Sequence, residues 1–359
     1  MAGTILPSEA DGQPPGWSSD HLRLHRSLLR QPGLLPPGAS LLLAVSGGQD
    51  SMAMTGLLKQ LSRLHHWQLH LWHGDHGWHP DSAQQAQELE AWAQAQHLPL
   101  TITRADPSTA TGNREQTARR WRYTCLLQEA LRLNCSHVLT AHTATDRAES
   151  VLLHLARGSH RRGLASLRSS LLLVDVLRWE NDGGSVPGPR PGPQLVRPLQ
   201  LFSRADTARI CRLEGWPVWP DPSNDETILS RNRIRHQVLP VLETLHPGAV
   251  RRISAQAERL ADELECQQQL TSLALRGLCD QAGRLDRRAL LRLAPANQRL
   301  LLCCWLEQRQ GPALTSRSLD QLLPRLAAHK GPGQMDLAGG WQLLWADRTI
   351  VLQSPSPAS

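Results

Sequence analysis

The chain has 359 residues, 40% of them hydrophobic and 20% charged, enough to bury a sizeable core and, at roughly 150 residues per domain, to form two domains. Its net charge of +7 is almost all arginine, since Lys59 and Lys330 are the only lysines; this favours an anionic partner, although a GC-rich genome would give the same bias. Seven cysteines without a C-x-x-C pair disfavour a disulfide framework or a thiolate zinc site and fit a reducing cytoplasm, and no segment nears the roughly 18 apolar residues of a membrane span.

Residues 1–20 lack the apolar run of a signal peptide and are expected to be disordered. An apolar run at 40–45 is predicted as a strand, closed by Ser46-Gly47-Gly48 and followed by helical spacing over 50–64. Further strands are predicted at 69–73, 98–103 and 137–141, with helices at 82–96, 114–133 and 146–157. Such alternation implies parallel pairing, so the expected fold class is α/β with a doubly wound parallel sheet that binds its ligand at the carboxyl ends of the strands. Residues 181–194 are rich in Gly and Pro and read as a surface loop between strands at 174–179 and 195–198. A catalytic domain is therefore expected at 21–245, a helical linker at 246–282, a small mixed α/β domain at 283–353 and a disordered end at 354–359.

The chemistry begins at Ser46-Gly47-Gly48-Gln49-Asp50-Ser51. Two glycines let the backbone approach an anion, and the free N–H groups of the following helix point at it. A Walker loop is excluded because neither lysine follows a glycine, and the G-x-G-x-x-G dinucleotide fingerprint is absent here. An aspartate inside a phosphate loop repels the ligand unless a cation bridges them, so Asp50 suggests Mg²⁺. Taken alone, the hexapeptide reads equally well as a turn with Asp50 as a helix cap.

S-G-G-x-D-S after the first strand resembles the PP-loop of the N-type ATP pyrophosphatases, which cleave ATP between the α and β phosphates and pass the adenylate to a carbonyl oxygen. Further segments resemble one branch, the tRNA(Ile)-lysidine synthetases: Asp75-His76-Gly77; the run from Asn113 to Tyr123; Thr140-Ala141-His142-Thr143-Ala144-Thr145-Asp146-Arg147-Ala148-Glu149-Ser150; Arg197-Pro198-Leu199; Asp221-Pro222-Ser223-Asn224; and Arg231-Asn232-Arg233-Ile234-Arg235. The likeness covers about residues 22–245, and the resemblance leads to the expectation of a short form without the second C-terminal domain of longer members. Five positions depart from the pattern: Thr143 and Thr145 stand for the usual His and first Asp, Arg147 for Gln, and Trp78-His79 for Leu-Arg.

The resemblance implies a ligase that adenylates C2 of the wobble cytidine of tRNA(Ile) with a CAU anticodon and then joins free L-lysine there, releasing AMP. It implies ATP held by residues 46–51 and His142, Mg²⁺ held by Asp50 and Asp146, and catalysis by Asp50, Arg119, Asp146 and Glu149. Arg122, Arg157, Arg161, Arg162, Arg231, Arg233 and Arg235 are the expected tRNA contacts, with the C-terminal domain assisting, although such arginines taken alone are more often a solvated face. Asp146 and Glu149 lie three apart on one helix face, where complementing the helix dipole is their simpler role. His73, His76 and His79 are better read as loop histidines than as a metal site. Two other readings stay open: a tRNA sulfur-transferase, disfavoured for want of paired cysteines, and a catalytically impaired RNA-binding paralogue. The sequence leaves the oligomeric state open, a homodimer being one option.

Overall fold

The computed structural model describes residues 17–77, 81–106, 114–159, 161–182, 192–219, 230–327 and 331–355. After Ala261 the chain divides into two compact units. In the first, β1 (Ser40–Ala44), β2 (Gln68–Asp75), β3 (Leu100–Arg104), β4 (His137–Leu139), β5 (Ser170–Leu172) and β6 (Gln194–Val196) form one sheet in the order β3-β2-β1-β4-β6-β5. Every pair is parallel except β5 on β6, so the doubly wound sheet gains an antiparallel edge.

Leu41, Leu42 and Leu43 of β1 are fully buried, as a central parallel strand covered on both faces requires. Leu41 and Leu43 join one core with α1 (Ser19–Arg30), α2 (Gln49–His65), α3 (Ser82–Ala95) and α8 (Arg204–Glu214). Leu42, pointing the other way, joins a second core with α4 (Arg114–Arg132) and α7 (Leu173–Asp182). Because β1 lies between β2 and β4, the strand order reverses there and opens a crevice at their carboxyl ends.

Two expectations change. Residues 174–179 are helical rather than a strand: Leu173 and Val176 are buried at helical spacing on the α4 face, and the apolar run that looked like a strand is one side of α7. The disorder expected through residue 20 fails at its end, where α1 starts at Ser19. There Arg209 of α8 donates to both oxygens of the buried Asp20, at 2.8 and 2.9 Å, which ties α1 to the unit.

The first unit is completed by α5 (Ala144–Ala156), α6 (Arg161–Leu164), α9 (Ser230–Arg233), a π turn (Ile234–Val238), α10 (Leu239–Leu245) and the start of α11 (Ala249–Leu278). The helix expected as a linker thus contributes Val250, Ala257 and Ala261 to buried positions. In the second unit β7 (Leu285–Asp286), β8 (Gly333–Asp336), β9 (Gln342–Trp345) and β10 (Thr349–Gln353) form an antiparallel sheet in the order β7-β10-β9-β8. It packs with α12 (Arg287–Leu291), α13 (Pro295–Gln308) and α14 (Ser316–Arg325) around Trp305, Leu302, Leu322 and Ile350. No helix among the described residues is long and apolar enough to cross a membrane.

Candidate active site

The loop between β1 and α2 is folded on itself by its two serines. Ser51 Oγ donates to Gly48 O at 2.8 Å and accepts from Ser46 N at 3.2 Å. The first amides of α2 have no intrahelical partner and sit beside this loop, which makes it an anion cradle. Gly47 has φ +83°, a conformation that suits glycine, and a Cβ there would meet Trp219 Cε3 at 3.3 Å. Trp219 packs over the loop: its backbone N–H donates to Gly47 O at 3.0 Å and its indole Nε1 to Glu88 Oε2 at 2.7 Å.

Gln49 turns away from the cradle, donating to Arg204 O at 2.9 Å and to Thr207 Oγ1 at 3.2 Å, both on α8. Asp50 is bound by the same helix, accepting from Thr207 Oγ1 and facing Arg204 Nη1 at 3.4 Å. Burial pushes the Asp50 carboxyl above the usual range; nearby Asp146 adds to the rise and Arg204 opposes it.

Asp146 comes from the neighbouring strand end, after β4. Its Oδ2 accepts from Thr143 N at 2.8 Å and Thr143 Oγ1 at 2.7 Å, a capping box that starts α5. One turn on, Glu149 is fully buried and gripped by Arg235, whose Nε and Nη2 donate to its two oxygens at 2.6 and 3.0 Å. Arg235 also lies 3.5 Å from Asp146 Oδ1, and Arg231 lies 3.7 Å from Glu149 while donating to Ser150 Oγ at 3.1 Å. Burial raises the Glu149 pKa, Arg235 pulls it down, Asp146 raises it again, and the net shift is upward.

Two departures from the family pattern have local reasons. Thr145 Oγ1 accepts from Arg204 N at 3.1 Å and so helps dock the first turn of α8. Arg147 is almost fully buried, with Nε donating to Ser166 O at 3.2 Å and Nη1 to Gln200 Oε1 at 2.9 Å and to Glu258 on α11.

Beyond β4 and β6 the site turns basic. His142, held by Thr140 Oγ1 at 3.0 Å, is driven well below its ordinary pKa by burial and by Arg197, Arg119, Arg231 and Arg122. Arg119 lies 5.2 Å over the ring of Tyr123, a buried phenol that also hydrogen-bonds Arg197. Arg122 approaches His76 Nε2 at 3.4 Å, and burial with that cation lowers His76 to about 4. Asp75 accepts from Gly77 N at 2.9 Å and pairs with Arg104 at 3.3 Å, so Asp75-His76-Gly77 forms a braced turn at the end of β2.

The fold thus gathers Asp50, Asp146, Glu149, His142 and Arg119 at one strand-end crevice. Of the expected tRNA contacts, Arg122, Arg157, Arg161, Arg162 and Arg233 are exposed, whereas Arg235 and Arg231 point inward to Glu149. Trp78, His79, Asn113 and Asp221 to Asn224 fall outside the described residues, and no cluster of three or more metal-ligating side chains occurs among the described ones. Sequence reasoning missed Thr207, Arg204 and Trp219. The capping box Ser203-x-x-Asp206 was the available signal for the first two, since it fixes where α8 begins.

Residues 23–242 match the family model described as a PP-loop domain, and this match with the loop after β1 defines a PP-loop protein. A solved U34-tRNA thiolase from Methanococcus maripaludis shares the fold, with a TM-score of 0.54 and 17% identity over 68% of this chain and 79% of that one. The chain is 48% identical over 340 residues to a tRNA(Ile)-lysidine synthase of Parasynechococcus marenigrum, covering 95% of this chain and 96% of the relative. A tRNA(Ile)-lysidine synthase of Thermosynechococcus vestitus is 36% identical over 95% of this chain and 94% of its own length. The chain belongs to the tRNA(Ile)-lysidine synthase family.

Proposed function

We propose that this chain is an ATP-dependent ligase that joins free lysine to C2 of the wobble cytidine of tRNA(Ile) bearing a CAU anticodon, working in the cytoplasm. The observation that carries the reading is the pairing, across the β1–β4 reversal, of a glycine cradle for phosphate with the carboxylates Asp50 and Asp146. In the first step the cytidine C2 oxygen attacks the α phosphorus of ATP, and the bond to the β phosphate breaks. The leaving pyrophosphate is received by the amides and hydroxyls of residues 46–51. Arg119 supplies positive charge to the phosphoryl group. In the second step the ε-amine of lysine attacks C2, the C2–O bond breaks, AMP leaves, and a proton passes from the nitrogen to a carboxylate.

Asp146 is the carboxylate suited to that proton and to the incoming amine. Glu149 already has both oxygens bonded to Arg235 and orients the helix and Asp146 from behind. Mg²⁺ would fit Asp50 and Asp146: both are hard oxygen donors, Asp146 adds to the cost of charging the buried Asp50, and Mg²⁺ is usually held by one or two carboxylates plus substrate phosphates. When bound it neutralises phosphate charge.

The sulfur-transfer reading needs a reactive thiol. Cys211, the cysteine bonded to the loop through Gln49 O at 3.2 Å, is buried and pushed up to about 11, which leaves it protonated at neutral pH. Lysine-dependent AMP release in the presence of tRNA and ATP tests the proposal. Pyrophosphate release with tRNA but no discharge by lysine would overturn it, and silence in both steps would favour the impaired paralogue.

A further inference from the structure

Asp50 is engaged from α8 on both of its oxygens. Oδ1 accepts from Thr207 Oγ1, and Oδ2 faces Arg204 Nη1 at 3.4 Å. The two contacts are unequal. Thr207 is fully buried with its hydroxyl against the carboxylate, whereas the Arg204 side chain is 27% exposed and stands beyond the roughly 2.7–2.9 Å of a well-made charge-assisted bond. Among the described residues Asp50 is the only acid within ion-pair distance of Arg204.

A metal ion and this arginine cannot use Asp50 together. Mg²⁺ needs a bare carboxylate oxygen at about 2.0–2.1 Å, and a guanidinium on the same oxygen repels it. The looser partner is the one displaced. Its backbone cannot follow, because Arg204 N donates to Thr145 Oγ1 at 3.1 Å, Arg204 O accepts from Gln49 Nε2 at 2.9 Å, and Cys211 Sγ of the same helix donates to Gln49 O at 3.2 Å. The released guanidinium therefore stays beside residues 46–51. No acid takes it up from position 145, where this chain has a threonine, and Asp146 is already met by Thr143 and Arg235. The anion left for it is the one in the cradle.

We infer that Arg204 is the resting counter-ion of Asp50 and exchanges it for the pyrophosphate end of ATP when Mg²⁺ arrives. The metal then takes the carboxylate and the guanidinium takes the phosphate, which its planar fork meets through two oxygens at once. This rests on the reading that Asp50 holds Mg²⁺ beside a phosphate in the loop. The simpler alternative is a fixed ion pair that only staples α8 to the loop. Such a staple predicts no opposed effects on metal and phosphate.

The test needs no turnover. Inorganic pyrophosphate, and Mn²⁺ standing in for Mg²⁺, are titrated into the full-length protein and its variants by calorimetry, without tRNA. Arg204→Gln should bind Mn²⁺ alone about three- to tenfold more tightly than wild type, because its competitor is gone, and should bind pyrophosphate in the presence of Mn²⁺ about 10- to 100-fold more weakly, the range for losing a charge-assisted contact. Asp50→Asn frees the arginine, so its affinity for metal-free pyrophosphate should rise about five- to tenfold, and the double variant Asp50→Asn with Arg204→Gln should lose most of that gain. If Arg204→Gln does not fold, Arg204→Met takes its place in the cycle. A gain that persists in the double variant would mean that only carboxylate repulsion was relieved, and would overturn the exchange. Weaker binding of both ligands by Arg204→Gln, or no change in either, would make the pair a fixed staple. Mn²⁺ binding unchanged in Asp50→Asn, or no pyrophosphate binding by any form, would instead refute the site reading on which the exchange rests.

Discussion

Glu258→Ala should destabilise the first unit far more than its surface position on α11 suggests. Its carboxylate is 26% exposed, but the Arg147 guanidinium that it meets is only 2% exposed. Removing the acid leaves a charge in a place where water cannot replace the lost oxygen, although Ser166 O and Gln200 Oε1 remain as partners. Breaking a buried pair from one side costs about 3–5 kcal/mol, against about 0–1 kcal/mol for an exposed pair. At roughly 2–4 °C per kcal/mol for a unit of this size, the melting temperature should fall by about 6–20 °C.

The assay is thermal and urea unfolding of wild type, Glu258→Ala, Arg147→Gln and the double variant. The double variant should recover much of the loss, because neither charge is then left without its partner. If Glu258→Ala melts within 2 °C of wild type, or if the two single losses simply add, the pair is an ordinary surface contact and the reasoning fails. Because α5 carries both Arg147 and Asp146, the same variant should also raise the KM for lysine.

Asp50→Asn should lower pyrophosphate release by about 10²- to 10³-fold, measured with tRNA present. It should not lower thermal stability at pH 7. The folded carboxyl is raised above the unfolded value of 3.8, so its ionisation costs stability as pH climbs through that window and the full cost stands above it. A large drop in melting temperature would contradict the raised pKa. Trp219→Ala should raise the KM for ATP about three- to tenfold by loosening the hold on Gly47, whereas Trp219→Phe stays near wild type; equal effects would reduce the ring to filler. Burial lowers His21, His65, His73, His137, His142 and His154 below 6.5 and His76 to about 4. These histidines take up protons less readily when folded than when unfolded, so the urea midpoint should fall as pH drops from 7 to 5; a flat profile would refute it.

The parallel core was legible because central strands leave an unbroken apolar signature, as at Leu41 to Leu43, and because strands and helices alternate along residues 40–157. The edge was not legible. Residues 170–172 form a strand only because β6 offers its free side, and the following run, equally apolar, becomes α7 to cover Leu42. Tertiary context decided between two periods that the run satisfied alike. The same limit applies to the site. Ser46 to Ser51, Asp146 and Glu149 could be read along the chain, but their partners Thr207, Arg235 and Trp219 lie 157, 86 and about 170 residues away. Three arginines spaced alternately at 231, 233 and 235 looked equivalent, and the helix turned two of them inward and one outward.

The residues that depart from the family pattern are those whose work lies in holding elements together. Thr145 supplies an oxygen to the first turn of α8, a task that serine, threonine, asparagine or aspartate can all perform at a helix start. Replacing an acid there removes a charge without removing the acceptor. Arg147 reaches Ser166, Gln200 and Glu258, all on the side of α5 that packs inside the first unit. Successive helix residues turn by about 100°, so positions 145 and 147 can change while 146 and 149 share the face toward Asp50 and Arg235. The carboxylate lost at 145 therefore leaves the crevice with Asp50 near Asp146 and Glu149 still gripped by Arg235, which is the arrangement the proposed two-step reaction uses.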